Sequence, residues 1–338
     1  MRKYLFCGAL ALTLSFVAQA QMLINGAGAT FPAPIYTKWF SDYASVDTSI
    51  HINYQPQGSG AGINQVTSGT VDFGATDGPM TDEEISKGKI KVLHFPTVMG
   101  AVVATYNIPG VTVQLNFTQE ALVGIFLGKI TKWNDPAIAS ANKGVKLPNE
   151  SITVAHRADS SGTSFVFTDF LSTASPEWAS PKGPGRGKSV NWPVGLASKG
   201  NDGVTGLVKQ QPNSIGYVDQ IFAVTNKLLF GKIQNKAGQF IQPSSDSVAA
   251  AAASTAKAMP ADFRISIVNA PGKDAYPIST FTWLLIPTQI QDATKKKALV
   301  GFLNWMLTKG QDSVESLDYV RLPKEVVAKE QKAISLIH

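Results

Sequence analysis

Twice in this sequence a strand-like run breaks off in a cluster of glycine, serine and alanine that opens into a helix-like run. Residues 50–55 lead into Gly58-Ser59-Gly60-Ala61-Gly62, ahead of a helix expected from Ile63. Residues 151–155 lead into Arg157-Ala158-Asp159-Ser160-Ser161-Gly162-Thr163-Ser164-Phe165, ahead of another. A third cluster, Gly26-Ala27-Gly28-Ala29-Thr30-Phe31-Pro32, stands near the start. Short strands alternating with longer helices place the chain in the α/β class. Residues 71–74, 97–104 and 281–286 read as further strands. Residues 292–309 read as a helix, with Ala298, Leu299, Phe302, Leu303, Met306 and Leu307 recurring at three and four. No fixed-period repeat is present. Beyond the leader, Pro96, Pro109 and Pro287 interrupt the apolar runs well short of the roughly 20 residues a membrane span needs.

The first twenty residues stand apart. Arg2 and Lys3 precede a largely apolar stretch from Leu5 to Val17, and Ala18-Gln19-Ala20 fits the A-x-A cleavage pattern. Residues 1–20 are therefore expected to be a secretory signal peptide cut after Ala20. Cleavage removes Cys7, the one cysteine, so the exported chain has no disulfide and must be held by burial. A 44% hydrophobic content over 338 residues is ample for that. The same content, with 16% charged residues, excludes a disordered chain. Loss of Arg2 and Lys3 lowers the formal charge from +6 to +4. That excess is too small to point to nucleic acid, though it favours the approach of a small anion.

Signatures of catalysis fail on inspection. Gly187-Lys188-Ser189 imitates the end of a phosphate-binding P-loop, but Lys182 stands where the earlier glycine is required and Pro184 lies inside. Ser86-x-x-Lys89 and Ser254-x-x-Lys257 match a Ser-Lys pattern without its partner motifs. His51, His94, His156 and His338 lack metal-ligand spacing, and no metal or cofactor is expected. Residues 180–189 (SPKGPGRGKS) read as a mobile loop. Residues 248–258, dominated by alanine and followed by Pro260, read as a solvent-facing helix.

The three small-residue clusters remain. Each offers free backbone N–H groups near a helix start with Ser or Thr hydroxyls beside them, and such a terminus accepts an anion. Ordinary helix capping would account for any one of them. Three clusters, one with an arginine, favour a shared anion.

Seven segments occur in a fixed order: GAGATFPAP (26–34), residues 54–62, VDFGATDGPM (71–80), LGKITKWNDP (127–136), RADSSGTSFVFTDFL (157–171), KGNDGV (199–204) and SIGYVD (214–219). Together they resemble the PstS-type family, the periplasmic phosphate-binding proteins of bacterial phosphate ABC transporters, over essentially the whole mature chain. The resemblance implies a type II periplasmic-binding-protein fold, two α/β lobes joined by two crossing strands. By position the crossings fall near residues 98–101 and 278–281. Lobe one is then residues 21–98 plus 280–338, and lobe two residues 99–279.

The resemblance also implies a phosphate shell of Ala29 (as backbone), Thr30, Phe31, Ser59, Asp77, Arg157, Ser161, Gly162 and Thr163, with Asp159 fixing the arginine. Small departures are Ser160, where glycine is frequent in the family, and Pro56-Gln57 ahead of the second cluster. The implied partners are inorganic phosphate and the membrane permease subunits of a phosphate ABC transporter, and the implied state is a periplasmic monomer without covalent chemistry. Asp77 read alone is a turn residue before Gly78-Pro79. As a ligand it is the selective one, since a carboxylate repels an anion that has no proton to give. Sulfate has none, and a receptor for another oxyanion is the nearest rival reading. An exported phosphatase would need a metal cluster or an activated nucleophile. An interaction protein that had lost the ligand would not keep Thr30, Asp77 and Arg157.

Overall fold

The computed structural model describes residues 21–255 and 258–338. The expected signal peptide and its cleavage site, and Lys257 of the Ser-Lys pattern, lie outside the described residues. In chain order the strands are β1 (Met22–Gly28), β2 (Ile50–Pro56), β3 (Phe73–Thr76), β4 (Val92–Asn107), β5 (Asn116–Phe117) and β6 (Thr153–Arg157). They continue with β7 (Leu196–Ser198), β8 (Ser214–Asp219), β9 (Leu229–Phe230), β10 (Lys232–Gln234), β11 (Phe240–Ile241) and β12 (Ser279–Pro287). The main sheet runs β2-β1-β3-β12-β4-β8-β6-β7, with β9 added to β4, and β11-β10-β5 form a small separate sheet.

β4 changes partner along its length. From Val92 to Ala101 it pairs antiparallel with β12, and from Val102 to Asn107 with β8. On one side β1, β2 and β3 run parallel, and on the other so do β6, β7 and β8. The result is two α/β lobes sharing their central strands, the architecture implied by the resemblance. Both shared strands are buried almost throughout, which is why they read as continuous apolar runs instead of alternating ones.

The strand readings hold in kind and shift at the ends. β4 extends through Pro96 because the register there skips one residue: Val98 faces Thr282 while Pro96 faces Trp283. A bulge asks no ladder amide of proline, and Thr97 Oγ1 donates to Thr282 O at 3.2 Å instead. The strand expected at 71–74 starts at Phe73, since Asp72 is held by long-range side-chain bonds: its carboxylate accepts from Asn25 N at 2.8 Å and pairs with Lys295 at 2.8 Å. The helix read at 292–309 spans Ala293–Met306, with Asp292 accepting from Thr294 N and Lys295 N as its cap.

Three expectations are corrected. The helix after the second cluster begins at Ser59 and not Ile63, so the small residues are its first turn. The alanine-rich helix spans Ser245–Ala253 and buries Val248, Ala251 and Ala252, because alanine is small enough to pack close; it does not face solvent all round. Residues 180–189 have no regular structure but are tied down. Gly185 N donates to Trp178 O, Trp178 Nε1 to Gly185 O and Gly187 N to Thr168 Oγ1. In place of disulfides the lobes carry one extensive apolar core, with Trp39, Trp133, Trp178 and Trp283 fully buried.

Candidate functional site

Parallel strands direct their carboxyl ends to one rim, and the facing rims of the two lobes bring the three clusters together. Lobe one supplies Ala29, Thr30 and Phe31 after β1, Asp77 after β3, and Ser59 at the start of the helix Ser59–Ser68. Lobe two supplies Arg157 at the end of β6 and the start of the helix Gly162–Ala174. Gly162 is one of the points where the lobes meet tightly. A Cβ there would lie 2.6 Å from Asp77 Oδ2 and within contact distance of the Ser59 hydroxyl. Gly60 N donates to Ser160 O across the same junction at 2.9 Å. Gly58, at φ +104°, allows the approach of Asp159, whose Oδ2 would be 2.5 Å from a Cβ.

The hydroxyls of the site share one polarity. Ser59 Oγ accepts from Asp77 N at 3.2 Å, and Ser161 Oγ caps its helix by accepting from Ser164 N at 3.0 Å. Thr30 Oγ1 accepts from Asn201 Nδ2 at 2.8 Å, and Thr163 Oγ1 from Arg157 Nη1 at 3.3 Å. Each oxygen is thus occupied by a protein N–H, which leaves the protons of Thr30, Ser59 and Ser161 to donate, whereas Thr163 Oγ1 gives its own to Asp219 Oδ2 at 3.3 Å. Ser161 is at once a cap and a donor, so the two readings of the third cluster are compatible. Gly162 and Thr163 lie in the first helical turn, where amides lack an intrahelical partner.

Arg157 is 4% exposed and held by a two-pronged pair: Nε to Asp159 Oδ1 at 2.8 Å and Nη2 to Oδ2 at 2.5 Å. Gly200 N anchors Asp159 in turn at 3.0 Å. Burial works against the Arg157 charge, and the Asp159 carboxylate outweighs it, so the guanidinium sits above its ordinary pKa. Asp77 accepts from Thr282 Oγ1 at 2.8 Å. Burial pushes its carboxyl up to about 7, against the pull of that hydrogen bond and of Arg157. This set of donors, one fixed cation and one carboxyl poised to share a proton suits a small tetrahedral anion that carries a proton.

Thr30, Phe31, Ser59, Asp77, Arg157, Asp159, Ser161, Gly162 and Thr163 therefore line or brace one junction. Ala29 differs: its amide donates to Ala75 O at 3.0 Å and its carbonyl accepts from Tyr54 OH at 2.7 Å. Both backbone groups are committed within lobe one, so Ala29 shapes the loop and has no free donor. Phe31 packs edge-on against Tyr319, whose hydroxyl donates to Phe31 O at 2.6 Å.

Two buried polar residues were not singled out from sequence. Asn201 Nδ2 donates both to Thr30 Oγ1 and to Asp219 Oδ2, and its Oδ1 accepts from Asp219 N at 3.4 Å. The assignment of its amide follows from chemistry, since a backbone N–H can face only the oxygen. Asp219 also accepts from Thr163, and its Oδ1 has no hydrogen-bond partner among the described residues. Burial and the nearby Asp77 hold the Asp219 carboxyl well above the usual range. Both residues sit in segments that carry the resemblance, 199–204 and 214–219. An asparagine in a glycine turn and an aspartate ending a strand nevertheless read as local capping residues.

Comparison with known proteins places this geometry. Residues 17–309 match the family model described as PBP superfamily domain. The chain is 43% identical over 320 residues to the phosphate-binding protein PstS of Pasteurella multocida, covering 94% of this chain and 91% of that protein. It is 42% identical over 317 residues to the PstS of Haemophilus influenzae, covering 94% and 93%. Among solved structures, a high-affinity periplasmic phosphate-binding protein, PfluDING, bound with phosphate at pH 8.5, superposes with a TM-score of 0.74 at 22% identity. That match covers 92% of this chain and 93% of that one.

Proposed function

We infer the function from one premise: this chain belongs to the PstS-type phosphate-binding family, within the PBP superfamily. It captures inorganic phosphate between its two lobes and supplies it to an ABC-type phosphate transporter, with no covalent chemistry. The observation that carries this reading is the shared polarity of the junction: donors on every side and one buried carboxyl, Asp77, able to share a proton with the ligand. In this reading Thr30, Phe31, Ser59, Ser161, Gly162 and Thr163 donate to phosphate, Arg157 pairs with its charge, and Asp159 holds the arginine. Asp77 takes the phosphate proton, and Asn201 keeps the Thr30 hydroxyl pointed at the ligand. The lobes divide as residues 21–98 with 280–338, and residues 99–279. The change of partner along β4 supports that division. The mature protein starts after Ala20, works in the periplasm as a monomer, and meets the membrane permease subunits when loaded.

Calorimetric titration of ligand-stripped protein tests the reading. Phosphate should bind with a micromolar or tighter constant, about −8 kcal/mol or better. Sulfate should bind weaker by roughly 10⁴-fold, as expected where a buried polar group would be left opposed. A millimolar phosphate constant, or equal affinity for both anions, would overturn it.

A further inference from the structure

Outside the ligand junction, the two lobes also meet through charge. The segment that follows Asp77 runs Gly78-Pro79-Met80-Thr81 into the short helix Asp82–Lys87, whose first turn carries Asp82, Glu83 and Glu84. Lys188, from the tied-down 180–189 segment of the other lobe, places Nζ 2.8 Å from Glu84 Oε2, 3.1 Å from Oε1 and 3.3 Å from Pro79 O. Its side chain is only 7% exposed. The backbone of the same residue reaches the phosphate loop, where Ser161 N donates to Lys188 O at 2.9 Å. Arg264, also of lobe two, gives Nη1 to Asp82 Oδ1 at 2.8 Å and to Met80 O at 3.0 Å, while Asp262 steadies its Nε at 2.7 Å.

A lysine is almost never this buried without a partner. Here the side-chain oxygens it pairs with, and the carbonyl it caps, all come from the opposite lobe. We propose that Lys188 and Arg264 are positioning residues for phosphate capture, which clasp the Pro79–Glu84 segment and so hold Asp77 against the Ser161–Thr163 loop. The inference rests on the capture reading above. Phosphate bridges the lobes at the junction and the clasp bridges them beside it, so each lowers the cost of the closure that the other needs. Parting the lobes would return the buried Lys188 and the partly buried Glu84 to water. The clasp therefore adds to retention through a difference that salt screens.

Charge alone makes the opposite prediction, which allows a decisive test. Glu84→Gln removes a negative charge near an anion site, so a simple field effect would tighten phosphate binding. The clasp requires it to weaken, by about fivefold, mainly through faster release, as for a partly buried pair. Glutamine keeps the capping box with Thr81, so the helix start survives. Glu83→Gln is the control. It removes the same charge from the same turn, but Glu83 pairs with Lys87 of its own helix. Stopped-flow release and titration with inorganic phosphate, at 50 and 500 mM KCl, should show weaker binding for Glu84→Gln and not for Glu83→Gln. Added salt should speed release from the wild type more than from Glu84→Gln. Lys188→Met should cost no more in the Glu84→Gln background than the lost pair allows, a non-additive cycle. Equal or tighter binding by Glu84→Gln overturns the clasp while leaving phosphate capture standing. Failure of the wild type to bind phosphate would overturn the capture reading and the clasp with it.

Discussion

Burial holds the Asp77 carboxyl up near pH 7, while its neighbours Thr282 and Arg157 pull it down without prevailing. From sequence, selectivity against sulfate seemed to need an ionised carboxylate. The raised pKa modifies that expectation, because one proton can be counted on either partner. Phosphate brings its own proton to an ionised Asp77, or a protonated Asp77 meets the more highly charged phosphate. Sulfate can use only the second route. Discrimination should therefore be strongest above pH 7, where the carboxyl is ionised, and should narrow as the pH falls through about 7 toward 5.5 and the carboxyl takes up a proton. Asp77→Asn keeps the shape, removes the titration and offers an N–H to sulfate. Its phosphate-to-sulfate ratio should be lower at pH 8.5, by tenfold or more on the order of one unpaired buried charge, and flat with pH. Competition titrations at pH 5.5 and 8.5 on both proteins check this. A ratio unchanged by the substitution would return Asp77 to the role of a turn residue.

At the scale of elements, the proposed site is built from helix starts whose groups serve the fold and, in that reading, the ligand as well. Ser161 closes its helix in the ordinary way and still has a proton to donate. The next residue separates the two roles. In an isolated helix an alanine is preferred to glycine by up to about 1 kcal/mol, so Gly162→Ala should stabilise the helix Gly162–Ala174 taken alone. In the closed molecule its methyl group would strike Asp77 and Ser59 of the opposite lobe. The ligand-free variant should then melt no lower than the wild type, while its phosphate affinity falls by at least tenfold. Thermal unfolding without phosphate and titration with it separate these effects. Unaltered affinity would mean that the lobes need not approach so closely to bind.

Across the whole molecule, the two lobes are tied by β4 and β12, and in the proposed division these strands cross between the lobes near residues 98–101 and 278–281. In the structure both strands are continuous through the crossing, and Ala101 pairs with Ser279 there. A bend distributed over two paired strands changes the angle between lobes without unfolding either one. Small-angle scattering should give a smaller radius of gyration with phosphate than without it, on protein first stripped of ligand. Superimposable curves would contradict closure. With one cysteine in the whole sequence no disulfide can join the lobes, which is compatible with such motion, because burial and not a covalent cross-link holds them.

What the sequence determined by itself was whatever local chemistry enforces. Alternating strand and helix periods required an α/β chain, and the order of its segments revealed the family. Arg157, Ser161 and Thr163 were legible because they sit within a few residues of one strand end and one helix start, where cap and turn preferences act over short range. Partners far apart in the chain were beyond such rules. Asn201 matters because it meets Thr30, Asp219 because it meets Thr163, and Lys188 because it meets Glu84. The composition of residues 180–189 suggests a mobile loop, yet the nearby Trp178 and Thr168 on the preceding helices tie it down. Ala29 looks like an available backbone group in the sequence, yet Ala75 O takes its amide and the Tyr54 hydroxyl takes its carbonyl. Tertiary structure decided these cases because burial sets their energetics. A buried polar group must find its partner wherever the fold has brought one, and residue type alone does not say which that will be.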